Sequence, residues 1–355
     1  MKTTTEPTES NNAPEATRAS GSLLRTTSRL LGLGLVWLVL AAATAWAFGA
    51  LWFDFPVVWL RHPLAFGLPA IALAAFVFVR PLWRAQAGWG VVLLLLIGWW
   101  LTLRPSNTRH WQPDVAELAW AEVNGDLVTI HNVRNCEYRS ETDYTARWET
   151  RTLDLSKLTG IDIAVCRWGA KAICHPLLSF QFSDAPPVAI SIETRKEFGE
   201  AYNPIGGLYR QYELIYLVAD ESDVLGVRTN HRVGEDVYLY RTTVTPAEAR
   251  QRFMEYVNTM NDMRQHPRWY NAVTTNCTTS IRTQHSVSQR IPWDWRILIN
   301  GAIDQMLFER GTLVTDGLPF PELYQRAVIT AAARAADRSP DFSRLIRENR
   351  PGFGK

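Results

Sequence analysis

The sequence predicts an α+β protein whose folded domain stands behind a membrane region. Three observations predict it. Long apolar runs without an internal charge fill much of the first third of the chain. Segments of alternating polarity come next, and helical periodicity then replaces them. Strands first and helices later is the order of an α+β domain, not of alternating βα units. The 355 residues are enough for a membrane segment plus a sizeable core. The net charge of +2 sets up no strong field for nucleic acid, and no basic stripe interleaves with aromatics.

Residues 1–29 are rich in Thr, Ser, Glu, Asn and Ala, with almost no large apolar side chain before Leu23. Such a tail buries too little surface to order itself and is expected to be a disordered cytoplasmic leader. The run "LLGLGLVWLVLAAATAWAFGALWF", Leu30 to Phe53, carries no charge. It is long enough to cross a hydrocarbon core of about 30 Å at about 1.5 Å per residue. It also exceeds the roughly 7–15 apolar residues of a signal peptide. A second run spans about Pro63 to Val79 and contains Pro69; a third, "GWGVVLLLLIGWWLTL", spans Gly88 to Leu103. Residues 30–103 therefore read as a membrane region with about three transmembrane helices.

Arginines set the expected orientation. Arg18, Arg25 and Arg29 precede the first span, and Arg80 and Arg84 separate the second from the third. The loop between the first two spans offers Asp54 and a single Arg61. The bias puts the N-terminus and the second loop inside, so three crossings leave everything after Leu103 outside. Arg104 and Arg109 pull weakly the other way. About ten residues then lead to the soluble domain, residues 111–345. Trp99, Trp100 and Trp111 fall where tryptophan favours the membrane interface. So short a tether keeps the domain near lipid.

In that domain "DLVTIHNVRN", "YTARWETRTLDL", "GIDIAVCRWG", "AICHPLLSFQF", "VAISIETR", "YELIYLVA" and "DVYLYRTTV" read as strands, with "SDAPP" as a hairpin turn. "TPAEARQRFMEYVNTMNDM" then begins a helix. Thr245 is its N-cap, Pro246 its first residue and Glu248 the capping-box partner. Phe253, Met254, Val257 and Met260 form its core face. "INGAIDQMLFER" and "ELYQRAVITAAARAA" read as further helices.

The chemistry centres on "YNAVTTNCTTSIRTQH", Tyr270 to His285. Asn276 is a good N-cap residue, which makes Cys277 the first residue of a helix. A helix N-terminus favours a thiolate, and its N–H groups can hold an oxyanion. On local sequence alone a nucleophile and a small buried thiol are equally good readings. A nucleophile needs a base. Of His131, His175, His231, His266 and His285, His175 is the choice, because its strand would hold the ring on one face, whereas His231 and His266 fall in polar turn and loop segments. His285 is too far along the same helix, and His62 and His110 lie in or beside the membrane region. Ser191 and Glu193 alternate onto one face of the next strand and can orient the ring. Asn276 can cap the helix or donate to an oxyanion; Tyr212, Glu213 and Arg195 can position substrate. "NPIGGLYRQYE" reads as a mobile loop over the site and is not a phosphate-binding loop, because a strand follows it. Cys174 and His175 project to opposite strand faces, which argues against a shared metal; no metal or cofactor is expected. Cys136, Cys166, Cys174 and Cys277 allow three full disulfide pairings, among which spacing does not choose.

From "HPLLSFQF" through "ISIETRKEFGEAYNPIGGLYRQYELIYLVADESDVLGVRTN" to "YNAVTTNCTTSI" the chain resembles the Lnb N-terminal periplasmic domain family, over roughly Val115 to Gln284. The resemblance implies a permuted papain-like (NlpC-type) domain with an antiparallel sheet and packed helices, in which histidine precedes cysteine. Lecithin-retinol acyltransferase-like enzymes share that order and an Asn-Cys motif. It implies Cys277 as nucleophile, His175 as base, and thiol acyl transfer of the lipoprotein N-acylation type at a bacterial inner membrane. The spans before the domain depart from the namesake's own arrangement.

Three functions follow as expectations. One is a periplasmic cysteine acyltransferase acting on phospholipid or lipoprotein through an acyl thioester. Another is an NlpC-type amidase or peptidase acting on cell-wall peptide. The last is a non-catalytic binding domain. An apolar channel beside Cys277 favours the first, an open polar groove the second, and a cysteine and histidine held apart the third.

Overall fold

The computed structural model describes residues 13–169, 172–285 and 290–354, with the side chains of 13–26 left aside. The chain divides into two compact units, Met1–Leu103 and Arg104–Lys355.

The first unit is three helices: α1 (Ala13–Asp54), α2 (Val58–Phe78) and α3 (Leu82–Thr102). All three are long and apolar enough to cross a membrane, the first over Thr27–Asp54. The leader expected over residues 1–29 falls partly on residues that are not described. Residues 1–12 lie outside the described residues, but from Ala13 onward the chain is already helical and runs unbroken into the span. Nothing in the alanine-bearing stretch after Pro14 stops a helix that the apolar run propagates. Small residues let the helices approach: Ala47, Ala65, Ala72 and Ala85 are buried. Trp89 Nε1 donates to Thr44 Oγ1 at 2.9 Å, and Trp100 Nε1 donates to Asp54 Oδ2 at 2.6 Å.

The second unit is built on a mixed sheet. Its strands are β1 (Trp120–Asn124), β2 (Leu127–Arg134), β5 (Trp148–Asp154), β6 (Leu158–Trp168), β7 (His175–Phe182), β8 (Val188–Arg195), β9 (Glu213–Asp220) and β10 (Glu235–Arg241). β3 (Glu137–Tyr138) and β4 (Tyr144–Thr145) make a separate small hairpin. The sheet order is β1-β2-β9-β8-β7-β6-β10, with β5 also on β2. Every neighbouring pair is antiparallel except β2 with β9, which meet in parallel at Arg134 and Ala219. The expected antiparallel sheet is thus a mixed one, through the single parallel meeting of β2 and β9.

Alternation along the central strands sends side chains to two cores. Leu178, Phe180, Ile190 and Tyr216 face α5 (Pro246–Gln265) and α6 (Cys277–Thr283). The Phe180 ring meets Phe253 edge-on at 5.0 Å and Tyr256 at 5.8 Å. Leu177, Ala189, Ala219 and Leu239 pack on the other face against α4 (Glu221–Val224), α9 (Thr330–Ala335) and α10 (Phe342–Leu345). The Thr245–Glu248 capping box is present at the head of α5. "INGAIDQMLFER" forms a short 3-10 turn and then α7 (Ile303–Glu309). "ELYQRAVITAAARAA" breaks into α8 (Phe320–Arg326) and α9, because Ala327 O accepts from Leu239 N and Val328 bridges to Tyr238. All four cysteines are free and buried, so none of the three possible pairings forms.

The tether is part of the soluble unit. Trp111 is buried, Asn107 Nδ2 donates to Met263 O at 3.0 Å, and Arg109 Nε lies 3.0 Å from Glu213 Oε1.

Candidate functional site

α6 begins where Asn276 caps it. Asn276 Oδ1 accepts from Thr279 N at 2.9 Å, and Thr279 Oγ1 accepts from Asn276 N at 2.8 Å. Asn276 Nδ2 donates to Ala272 O at 2.7 Å. Asn276 therefore caps the helix, with its Oδ1 and one of its two Nδ2 protons engaged. Cys277 is the first helical residue, where the backbone N–H has no carbonyl partner within the helix.

His175 opens β7, so its ring lies at the end of the sheet. Its Nε2 is 2.7 Å from Ser191 Oγ and 3.1 Å from Glu193 Oε1. Ser191 gives its hydroxyl proton to Glu193 Oε1 at 2.7 Å, so its oxygen accepts from Nε2–H. That leaves Nδ1 facing away from the carboxylate. Glu193 also accepts from Arg228 Nη2 at 2.7 Å, and Arg228 Nη1 reaches Glu235 at 2.7 Å.

The charges around the ring decide its protonation. Burial opposes the imidazolium and Arg228 adds to that. Glu193 overrides both, aided by the Cys277 sulfur through charge and hydrogen bonding, and the pKa rises from 6.5 to about 9. Glu193 responds in the opposite sense: burial disfavours its charge, but His175 and Arg228 hold it well below the usual carboxylate range. The ring is therefore cationic at neutral pH and the carboxylate ionised. Cys277 and His175 line one cleft of about 850 Å³, within the range of small-molecule sites.

Three residues named from sequence face elsewhere. Arg195 Nε donates to Val115 O at 2.9 Å, its Nη2 donates to Ala116 O at 2.5 Å, and its guanidinium lies 4.3 Å from the Trp111 ring centroid. It fastens the tether to β8. Tyr212 is buried, and its hydroxyl donates to Ala201 O at 2.7 Å while accepting from Asn203 N at 2.9 Å. It shapes the loop before β9. Glu213 is also turned to the tether; burial raises its pKa from 4.5 to about 8 despite Arg109 beside it. The glycine loop expected to be mobile is stitched down instead. Gly207 O accepts from Ala272 N at 2.7 Å, and a Cβ on Gly207 would stand 3.3 Å from Tyr270 and Ala272. His285 Nδ1 hydrogen-bonds Glu255 Oε2 at 2.6 Å, and burial lowers the pKa of its ring.

Three residues escaped the sequence reading. Arg228 sits among apolar neighbours in "VLGVRTN" and is buried, a signal that its charge needs partners. Asn300 is the second. Its Nδ2 donates to Cys174 O and to Thr278 Oγ1, each at 2.7 Å, and lies 3.9 Å from Cys277 Sγ. Its Oδ1 accepts from Cys174 N at 2.8 Å. One amide thus ties the residue before His175 to the residue after Cys277. The third is Tyr270, buried near the thiol; burial first, then Cys277 and Tyr202, push its phenol far above the ordinary value. Among the described residues no group of three or more His, Cys, Asp or Glu could hold a metal ion.

Comparison with known proteins adds one result. No curated protein and no solved structure matches the chain significantly. The family model that does match starts later than the sequence reading placed it and runs on through Asn300. Residues 144–301, which carry His175, Ser191, Glu193, Arg228, Cys277 and Asn300, match the model of the Lnb N-terminal periplasmic domain.

Proposed function

We propose that the chain is a membrane-anchored periplasmic cysteine acyltransferase acting on phospholipid and lipoprotein. The observation that carries the reading is that Cys277 and His175 line one cleft while Ser191 and Glu193 engage the far nitrogen of the ring. In this reading the thiol proton resides on His175 Nδ1 and the thiolate attacks an ester carbonyl of a phospholipid. A C–S bond forms and the negative oxygen turns to the N–H groups at the head of α6. Collapse breaks the C–O bond, and the imidazolium passes its proton to the departing lysolipid alkoxide. An α-amino group then attacks the thioester carbon, the C–S bond breaks, and the amine's proton returns through His175 to the sulfur. The arginine bias of the spans puts the N-terminus in the cytoplasm and this cleft on the outer side.

A second reading has its own support. Lys196, Glu200 and Arg232 line the same cleft, and such charges suit a cell-wall peptide cut with water as acceptor. Purified full-length protein offered a labelled phospholipid, a diacylated lipopeptide and a cell-wall peptide separates them. Transfer predicts acylated lipopeptide and lysolipid in equal amounts. Peptide cleavage with no lysolipid assigns the second reading and sinks the first.

A further inference from the structure

The mouth of the cleft does not resemble an ordinary soluble surface. Trp168, Ile173, Phe198, Tyr202, Val233 and Leu298 all line it and all are exposed, Phe198 at 67% and Val233 fully. They come from separate segments of the chain, so the cleft alone gathers them. Exposed apolar side chains gathered around one cleft mark a protein or membrane contact, with charges such as Lys196 and Arg232 beside them.

The tether decides between those occupants. Its residues are bonded to the same lip. Phe198 N donates to His110 O at 2.7 Å, and the two rings stack with centroids 5.2 Å apart. Gln112 N donates to Lys196 O at 3.0 Å, and Trp111 bridges to Glu197. The third apolar helix ends at Thr102. Eight residues from Thr102 to His110 span at most about 29 Å when fully extended. Covalent reach therefore holds Phe198 close to a bilayer that the three helices are built to cross.

We propose that this apolar lip docks on the bilayer interface, so that the cleft opens toward lipid and not toward bulk water. This deepens the lipid-handling reading of the same site and rests on it. Phe198, Tyr202 and Leu298 enter the headgroup and upper acyl region, and an acyl chain passes between them to Cys277 without crossing water.

The test uses the full chain with Cys277→Ser, so that no acyl transfer is needed. A bimane fluorophore is attached at Phe198→Cys, at Leu298→Cys, or, as control, at Glu322→Cys on α8, where the side chain is 41% accessible. Each protein is placed in nanodiscs of phosphatidylethanolamine and phosphatidylglycerol, with or without bromine on the upper acyl carbons. Docking to a depth of about 5–10 Å predicts bromine quenching at 198 and 298 at least about twofold greater than at 322. Equal quenching at all three sites overturns the proposal. So does a protected but unquenched fluorophore whose signal depends on protein concentration, which would assign the lip to a second copy of the chain. Loss of acyl transfer in a separate assay would leave this result standing, and failed docking would leave the acyl chemistry open.

Discussion

Replacing Glu193 by glutamine removes one charge from the ring environment and little volume. In the native site the rise of the His175 pKa from 6.5 to about 9 corresponds to roughly 3 kcal/mol in favour of the imidazolium. Glu193 is the largest favourable contributor; burial and Arg228 both oppose it. With a neutral amide at 193, only the Cys277 sulfur still raises the ring, and the pKa is expected to fall to 6.5 or below. At pH 8 the ring then changes from mostly protonated to mostly neutral. The assay is NMR of protein carrying 13C-labelled histidine, with the His175 signal assigned by its loss in His175→Ala. Ser191→Ala is the companion variant. It keeps the 3.1 Å contact to the carboxylate, so its ring should titrate much nearer the native value. A Glu193→Gln ring that still titrates near 9 would refute the argument that Glu193 governs the protonation of this site. So would Ser191→Ala lowering the ring as far as Glu193→Gln does.

Further outcomes follow from the same contacts. Asn300→Ala removes the amide that bonds Cys174 and Thr278 in a buried position. It should cost about 2–4 kcal/mol in urea unfolding, since the unpaired groups left behind each cost about 1–3 kcal/mol. Thr245→Ala removes the cap of α5 and should cost about 1 kcal/mol with no change at the cleft. Stability should also report His175 directly. Its folded pKa lies above its unfolded one, so the folded state holds the extra proton between them. That contribution is fully present below pH 6.5 and is lost as pH rises through about 9. The pH dependence of unfolding in that window should flatten in His175→Gln.

Much of the fold could be read because its signals are local. The head of α5 is written in Thr245, Pro246 and Glu248, and the cap of α6 in Asn276. The strands from β6 to β10 announce themselves by apolar runs and turn residues. What could not be read depends on partners remote in sequence. Ser191, Glu193 and Arg195 share the parity of one strand face. At the end of β8, however, Arg195 meets the tether some eighty residues away and turns to it. Tyr212 was likewise spent on Ala201 and Asn203. The break between α8 and α9 has no proline or glycine to signal it; backbone pairing with β10 imposes it. Asn300 lies in an unremarkable "INGA", and only the fold brings it between Cys174 and Thr278.

The central claim is that Cys277 carries an acyl group, and a direct measurement exists. Full-length protein is incubated with phospholipid bearing a labelled acyl chain and digested, and the Cys277 peptide is weighed by mass spectrometry. The account predicts one acyl mass on that peptide, released by neutral hydroxylamine and absent from Cys277→Ser. Label that resists hydroxylamine, or that persists in Cys277→Ser, would contradict it, as would an unmodified Cys277 peptide while lysolipid accumulates.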